Sequence, residues 1–253
     1  MDQFRAFLNI KLRDGELDRF TTLIPEFIQI VKATEPEVLQ FEAFVNRDKQ
    51  EIIWLETYQH AAAVDKHLAN PALNELKAKM MPMQEGINAM YFMGTPSEQT
   101  LQGLQAYGIS AGVLAPWEGM NRLTEERKAD NIQVISLATV SDMDAFKDYS
   151  MRLRHEAARH PGFLFQRSYQ LNESQVVNQA EWASEEALLS WSAKYNEVFG
   201  HEISGLLKDL QMFGAMNAPS DKLKAIVQQW NTQVFTKVAG FTRYLKAPET
   251  VSS

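Results

Sequence analysis

The sequence contains no cysteine and no dense run of lysine or arginine. Without cysteine there can be no disulfide framework, thiol catalysis or thiolate metal site, which fits a reducing compartment. The net charge of −7 and the lack of a basic stripe argue against nucleic acid as a partner. The apolar runs are far shorter than the ~20 residues that cross a bilayer, and the first residues lack the pattern of a signal peptide. We therefore expect a cytoplasmic protein that does not associate with membranes.

What the sequence does contain is an internal repeat. Four landmarks recur in the same order at separations of 123 to 126 residues. They are Phe20 and Phe146, Pro36 and Pro161, Glu56 and Glu181, and Pro96 and Pro219. A period near half of the 253 residues indicates two copies of one unit, because solenoid repeats are ~20–50 residues long.

Each copy has the hydrophobic patterns of a β-α-β-β-α-β unit. In the first copy we predict strands at 4–13, 38–46, 51–58 and 86–93. We predict a first helix with an apolar stripe from Leu17 to Val31 that ends at Glu35-Pro36, and a second helix at about 60–80. In the second copy we predict strands at 132–140, 163–171, 175–182 and 210–216, with a helix cap within 141–144 that includes Asp142 and a second helix capped by Ser184. Pro25 predicts a kink or a restart of the first helix, and Asn70-Pro71 predicts a break in the second.

The predicted fold class is α+β, with two ferredoxin-like units. Both helices of such a unit cover one face of its sheet, so the other face needs a cover of its own. We expect the two copies to cover each other and to form an intramolecular dimeric α+β barrel. The expected domains are 1–117 and 132–247, joined by a polar linker at 118–131.

Five segments carry a resemblance to a known family. They are Glu35 to Glu42, Trp54 to Tyr58 and Ala63 to Pro71 in the first copy, and His160 to Phe163 and Glu181 to Leu188 in the second. The chain resembles the antibiotic biosynthesis monooxygenase family, whose members belong to the dimeric α+β barrel superfamily. The resemblance implies two tandem copies of that domain.

The family includes several activities. Some members oxidise polyphenolic rings with dioxygen and no prosthetic group, some degrade haem, and some resemble isomerases. The haem-degrading members also carry an asparagine in the first strand, where this chain has Asn9, but they need a histidine on the second helix. The corresponding stretch, Asn74 to Lys77, has no histidine, so we do not expect haem degradation.

The resemblance and the residue types together suggest a site in the first copy. His67, helped by Tyr58 or Asn70, is the candidate catalytic base, since an imidazole with an ordinary pKa near ~6.5 can remove a phenolic proton. The alternatives are structural: His67 paired with a neighbour such as Glu56, and Asn70 as a helix break. The second copy has Trp191 near the place of His67, which makes the first copy the better candidate for catalysis.

The candidate substrate-binding residues are Trp54, Glu56, Tyr91 and Asn9. Aromatic rings and methionines suit a pocket for a flat apolar ligand, although they suit an ordinary core equally well. Glu56 and Glu181 end matching strands, which suggests a shared structural role. We find no pattern for a metal, and nothing calls for a flavin, a nicotinamide or another cofactor.

The leading functional hypothesis is a small-molecule enzyme of the monooxygenase type that acts on hydroxylated aromatic compounds. One alternative is a non-catalytic barrel that binds a hydrophobic metabolite or a protein partner. Another alternative is a cofactor-free isomerase or lyase that uses the same histidine. The expected partner is a small aromatic or hydrophobic molecule, and further homo-oligomers are conceivable.

Overall fold

The computed structural model describes residues 3–121 and 131–243. The described chain divides into two compact units. Of the described residues, the first unit contains 3–113 and 237–243, and the second unit contains 114–121 and 131–236. The predicted linker at 118–131 lies largely outside the described residues, and the predicted domain boundaries stay predictions.

The elements follow the order expected from the sequence. The first unit contains β1 Phe4–Leu12, α1 Leu17–Thr34, β2 Val38–Asn46, β3 Glu51–Tyr58, α2 Ala62–Ala69, α3 Asn74–Met80, β4 Gln84–Met93 and α4 Glu98–Ala106. The chain continues with β5 Gly112–Asn121, β6 Ile132–Val140, α5 Met143–Ala157, β7 Phe163–Gln170, β8 Gln175–Trp182, α6 Glu185–Val198, α7 Gly200–Leu206, β9 Leu207–Met216, α8 Asp221–Gln228 and β10 Thr232–Thr242.

Each unit has an antiparallel sheet with the ferredoxin-like strand order. In the first unit the order is β4-β1-β3-β2, and in the second it is β9-β6-β8-β7. In the second unit β5 also pairs with β7, and Thr232–Thr236 pair in parallel with β9. The predicted α+β class and both ferredoxin-like units are confirmed.

The helices pack against one face of each sheet. In the first unit, alternate residues of β1 such as Ala6 and Ile10 join a core with Phe20 and Ile24 of α1. In the second unit the corresponding core contains Phe146 of α5. This alternation follows from the two-residue period of a strand and the 3.6-residue period of a helix.

Local signals in the sequence set several helix boundaries. The side chains of Asp142 and Ser184 accept hydrogen bonds from backbone N–H groups of the first turns, as predicted. A short 3-10 helix at Pro71–Leu73 separates α2 from α3, which confirms the predicted break. At Pro25 a kink or a restart of the helix was predicted. The helix does not restart there, because α1 continues from Leu17 to Thr34 with Ile24, Phe27 and Ile28 buried. The kink stays a prediction.

Candidate functional site

A cluster of polar side chains lies on the helix-side face of the first sheet. His67 on α2 and Glu35 at the end of α1 are both buried, with 2.8 Å between Nδ1 of His67 and Oε2 of Glu35. Asn70 donates from Nδ2 to the other carboxylate oxygen of Glu35 at 2.6 Å, and its own Oδ1 accepts from the N–H of Ala72. Asn70 therefore both ends α2 and fixes Glu35.

Glu56 is not the partner of His67, which corrects the pairing considered from the sequence. The hydroxyl of Tyr58 donates to Oε2 of Glu56 at 2.6 Å, so these two β3 residues satisfy each other. They point to the same face because residues two apart on a strand do so. Glu35 reaches His67 instead because it directly follows α1, whose last turns pack beside the helical segment after β3.

The two carboxyl groups of this cluster have opposite pKa shifts. Burial opposes ionisation of Glu35, but the hydrogen bonds and charge of His67 and the hydrogen bond from Asn70 outweigh it and lower its pKa. Burial raises the pKa of Glu56, and the charge of Glu35 adds to this effect. Burial also lowers the pKa of Lys77, whose ammonium group donates to the carbonyl of His67. Carboxyl groups with divergent pKa values are typical of acid–base sites, and also of structural ion-pair networks.

Aromatic rings fill the space around His67. Its ring centroid lies 5.2 Å from that of Phe41, 6.0 Å from that of Tyr58 and 6.2 Å from that of Phe27. Trp54 packs on Phe41 at 5.2 Å. The rings that were candidates for a pocket wall therefore contact each other in this unit as a core does.

The other two candidate residues lie on the opposite face of the same sheet. Asn9 alternates with Leu8 and Ile10, which face the helices, and its amide lies 3.4 Å from the carboxylate of Glu51. Tyr91 stacks on Phe7 with 6.2 Å between ring centroids. The structure thus brings together His67, Tyr58, Asn70, Trp54 and Glu56, and it places Asn9 and Tyr91 elsewhere.

The strand registers show which residues of the second unit occupy the same places. The first residue of β1 pairs with Tyr58, and the first residue of β6 pairs with Trp182. Tyr58 and Trp182 are therefore equivalent. In the same way Phe41 corresponds to Gln166, Trp54 to Asn178 and Glu56 to Ala180. At the same separation of 124 residues, His67 corresponds to Trp191.

This register corrects the expected equivalence of Glu56 and Glu181. Glu181 lies between Ala180 and Trp182, which pack on the helix side, so its side chain points to the opposite face. Glu56 is on the helix side, where Tyr58 contacts it. The two acids therefore do not share a structural role.

Smaller side chains in the second unit leave a cavity of about 410 Å³ between its sheet and its helices. Gln166, Asn178 and Ala180 line it at the places that Phe41, Trp54 and Glu56 occupy in the first unit. The other lining residues come mainly from β6, α5, α6 and β9. A cavity of this size, mostly apolar and with a few polar groups, has the character of a small-molecule site.

Two tryptophans form one wall of the cavity. The rings of Trp182 and Trp191 stack with 5.8 Å between centroids and 25° between planes. Phe163 packs against Trp182 at 4.8 Å. All three rings line the cavity, so a flat ring that enters it meets aromatic surface.

Two tyrosine hydroxyls provide a polar group in the cavity. The hydroxyl oxygens of Tyr149 and Tyr195 lie 2.9 Å apart. Burial raises the pKa of both phenols, so both stay protonated at neutral pH. One hydroxyl donates its proton to the other hydroxyl oxygen. The proton of that second hydroxyl is then available to a ligand. Among the described residues that line the cavity there is no acidic, basic or histidine side chain.

The sequence pattern favoured a site in the first unit and did not predict this cavity. The missed signal is a set of polar or small residues at strand positions that face the helices, namely Ser136, Gln166, Ser168, Asn178 and Ala180. Each interrupts the alternation of large apolar and polar residues that a covered sheet needs. The first unit has large or apolar residues at most of these positions, so a comparison of the two copies would have shown the difference.

The fold and the cavity define an α+β protein built from two ferredoxin-like units, with space for a small molecule in the second unit. Residues 4–79 match the family model described as antibiotic biosynthesis monooxygenase, so the first unit is similar to that domain. This match associates the first unit with monooxygenase-like action on small molecules. No curated protein matches the chain.

Solved structures share the fold over nearly the whole chain. A putative monooxygenase from Fusobacterium nucleatum superimposes with a TM-score of 0.65 at 12% identity, over 96% of this chain and 98% of that one. A putative monooxygenase from Lactobacillus acidophilus gives a TM-score of 0.61 at 11% identity, over 96% and 97% of the two chains. Within the described residues no helix is long and apolar enough to span a membrane.

Proposed function

We propose that the protein is a small-molecule enzyme of the cofactor-independent monooxygenase type, and that a hydroxylated aromatic substrate binds in the cavity of the second unit. The observation that carries this proposal is the cavity itself, since its equivalent in the first unit is filled by Phe41 and Trp54. Its walls of stacked tryptophan suit a flat ring, because offset stacking adds ~0.5–1.5 kcal/mol to the burial of the ring.

The chemistry needs an electron-rich ring and dioxygen. A ring carbon that carries two hydrogens in the keto form gives up both hydrogens and four electrons, takes one oxygen atom as a carbonyl, and the second oxygen atom leaves as water. The protein binds the ring, excludes water and stabilises the phenolate oxygen. The free hydroxyl proton of the Tyr149–Tyr195 pair is available for that oxygen, and a fixed donor in a dry site stabilises developing negative charge.

The lack of charged and histidine side chains in the described cavity lining limits where the phenolic proton can go. Because the described lining residues offer no carboxylate, imidazole or amine, the substrate must lose its phenolic proton to water before it enters and must bind as the phenolate. The rate then follows the acidity of the substrate rather than that of a protein base. A site at His67, with Tyr58 and Asn70, would instead show the ionisation of a protein group.

The lack of a strong base in the described cavity lining also favours a second function, in which the cavity binds a hydrophobic metabolite without turning it over. A cavity without a strong base is sufficient for binding, because apolar burial and a few polar contacts supply the affinity and orientation. The two functions differ in whether oxygen is consumed.

Oxygen uptake with a panel of hydroquinones and anthrones tests the proposal. The informative variants are Gln166→Phe, which introduces the ring found at the equivalent place in the first unit, and His67→Gln. We expect oxygen uptake in the wild type, its loss in Gln166→Phe and its retention in His67→Gln, each variant being checked by circular dichroism. Loss only in His67→Gln would move the chemistry to the first unit. Binding of the panel without oxygen uptake would support the non-catalytic function.

A further inference from the structure

The floor of the cavity carries a row of polar side chains across three strands and one helix. We call Ser136, Asn178, Ser168 and Ser150 the polar row. Nδ2 of Asn178 lies 3.5 Å from Oγ of Ser136, and the hydroxyl of Ser168 donates to Oδ1 of Asn178 at 2.7 Å. Oγ of Ser150 lies 3.4 Å from Oγ of Ser168. Ser136, Asn178 and Ser150 line the cavity.

The polar row has no counterpart in the first unit. The strand registers place Leu8 at the position of Ser136, Trp54 at that of Asn178 and Ala43 at that of Ser168. On α1, Ile24 takes the place of Ser150 at the separation of 126 residues that relates Phe20 to Phe146. Four apolar positions in one copy are therefore polar in the other, and they are grouped at the cavity.

The hydrogen bonds within the row leave donors unused. Two of its three contacts, at 3.4 and 3.5 Å, are longer than an ordinary hydrogen bond. The amide of Asn178 has a second N–H, and the hydroxyl proton of Ser136 has no acceptor among the described residues. Gln166 beside them is buried, and its side chain makes no hydrogen bond within the described part of the chain. Ser136 and Asn178 are half-buried and line the cavity. A ligand that covers them without an accepting atom would leave their donors buried and unpaired, which costs free energy, whereas a ligand oxygen would pair with them.

We propose that the polar row binds an oxygen atom of the ligand and so makes the cavity select oxygenated aromatic rings over plain hydrocarbon rings. This inference rests on the proposed function, and it goes beyond it by naming the residues that determine specificity. A ring without the oxygen buries the donors of Asn178 and Ser136 unpaired. Sites built to hydrogen-bond a ligand oxygen discriminate strongly against analogues that lack it.

Ser192 provides a matched control within the same cavity. Its side chain also lines the cavity, but its hydroxyl is committed to the carbonyl of Leu188 at 2.6 Å on its own helix. Removal of this hydroxyl changes the lining by one atom without removing a free donor. Ser192→Ala and Asn178→Leu therefore separate loss of a donor from a general change of the cavity.

The test is the binding of 1-naphthol and naphthalene to the full chain under nitrogen, followed by quenching of tryptophan fluorescence. We expect the wild type to prefer 1-naphthol by about tenfold or more. Asn178→Leu should lose this preference, because its binding of 1-naphthol should weaken while its binding of naphthalene should not. Ser192→Ala should keep the preference. Thermal melting verifies that both variants are folded.

Two outcomes would overturn the inference, and they differ in what they say of the proposed function. Equal binding of both probes to the wild type, or an unchanged preference in Asn178→Leu, would show that the row does not select oxygen while the cavity still binds rings. Failure of both probes to bind would contradict the proposed site and the inference together. Because dioxygen is absent, the result does not depend on turnover.

Discussion

Nδ1 of His67 lies 2.8 Å from Oε2 of Glu35, and both side chains are buried among rings that fill the helix-side face of the first sheet. In the second unit the place of His67 is taken by Trp191, which forms a wall of the cavity. At this place the first unit has a buried histidine–carboxylate pair, and the second unit has space for a ligand. The two copies share one fold but carry different side chains at equivalent positions.

The Glu35–His67 contact predicts a pH-dependent contribution to stability. The pKa of Glu35 is lowered from its usual 4.5, so the stabilisation is present above that value and is lost as the pH falls through the lower, folded-state pKa. Glu35→Gln should reduce the free energy of unfolding by about 1–3 kcal/mol at pH 7. The difference from the wild type should shrink below about pH 4, as measured by urea denaturation across pH.

Glu56→Gln is the matched control, because the pKa of Glu56 is shifted the opposite way. Burial raises that pKa, so the stability contributed by its neutral form is present at low pH and is lost as the pH rises through the folded-state pKa. The neutral variant should therefore gain stability relative to the wild type as the pH rises. If both variants showed the same pH trend, the assigned electrostatics of the cluster would be wrong.

Removal of the hydroxyl of Tyr195 should weaken the stabilisation of a phenolate in the cavity. Tyr195→Phe removes the hydrogen bond between the two hydroxyls that lie 2.9 Å apart, so Tyr149 then donates to the ligand without a partner that polarises its hydroxyl. We expect kcat/KM for oxygen uptake to fall about 10–100-fold. Unchanged kinetics in a folded Tyr195→Phe variant would exclude the pair from the reaction.

The ion pair between Lys237 and Glu42 should be important for the stability of the first unit. Nζ of Lys237 lies 2.6 Å from the carboxylate of Glu42, which is only 2% exposed. Lys237→Met should cost about 2 kcal/mol, because a buried carboxylate then loses the ammonium group that Lys237 places beside it. The double variant Lys237→Met, Glu42→Gln should recover most of this loss in denaturation experiments. Additive losses in the double variant would show that the two groups are not coupled.

The sequence was sufficient to predict the order and class of the elements. The predicted bounds of β2, β3, β6 and β8 are those of the structure, because turn residues flank each of these strands and their apolar positions alternate. The caps at Asp142 and Ser184 were predictable for the same local reason. Such features depend on neighbours in the chain and need no tertiary information.

The site was less predictable, because it depends on contacts between distant segments. The partner of His67 is Glu35, 32 positions away, and only the packing of α1 against the segment after β3 brings the two together. The two copies align at Glu56 and Ala180, one residue away from Glu181. A shift of one residue along a strand moves a side chain to the opposite face of the sheet, so the side chain of Glu181 points away from the helices. The cavity depends on small or polar residues whose effect appears only when the registers of both units are compared.

A crystal structure of the protein with 1-naphthol bound is the most direct test of the cavity in the second unit. We expect the naphthol ring to lie against Trp182 and Trp191, with its oxygen within hydrogen-bond distance of Asn178 or Ser136. Density for the ring beside His67 in the first unit, with the second-unit cavity empty, would contradict this expectation.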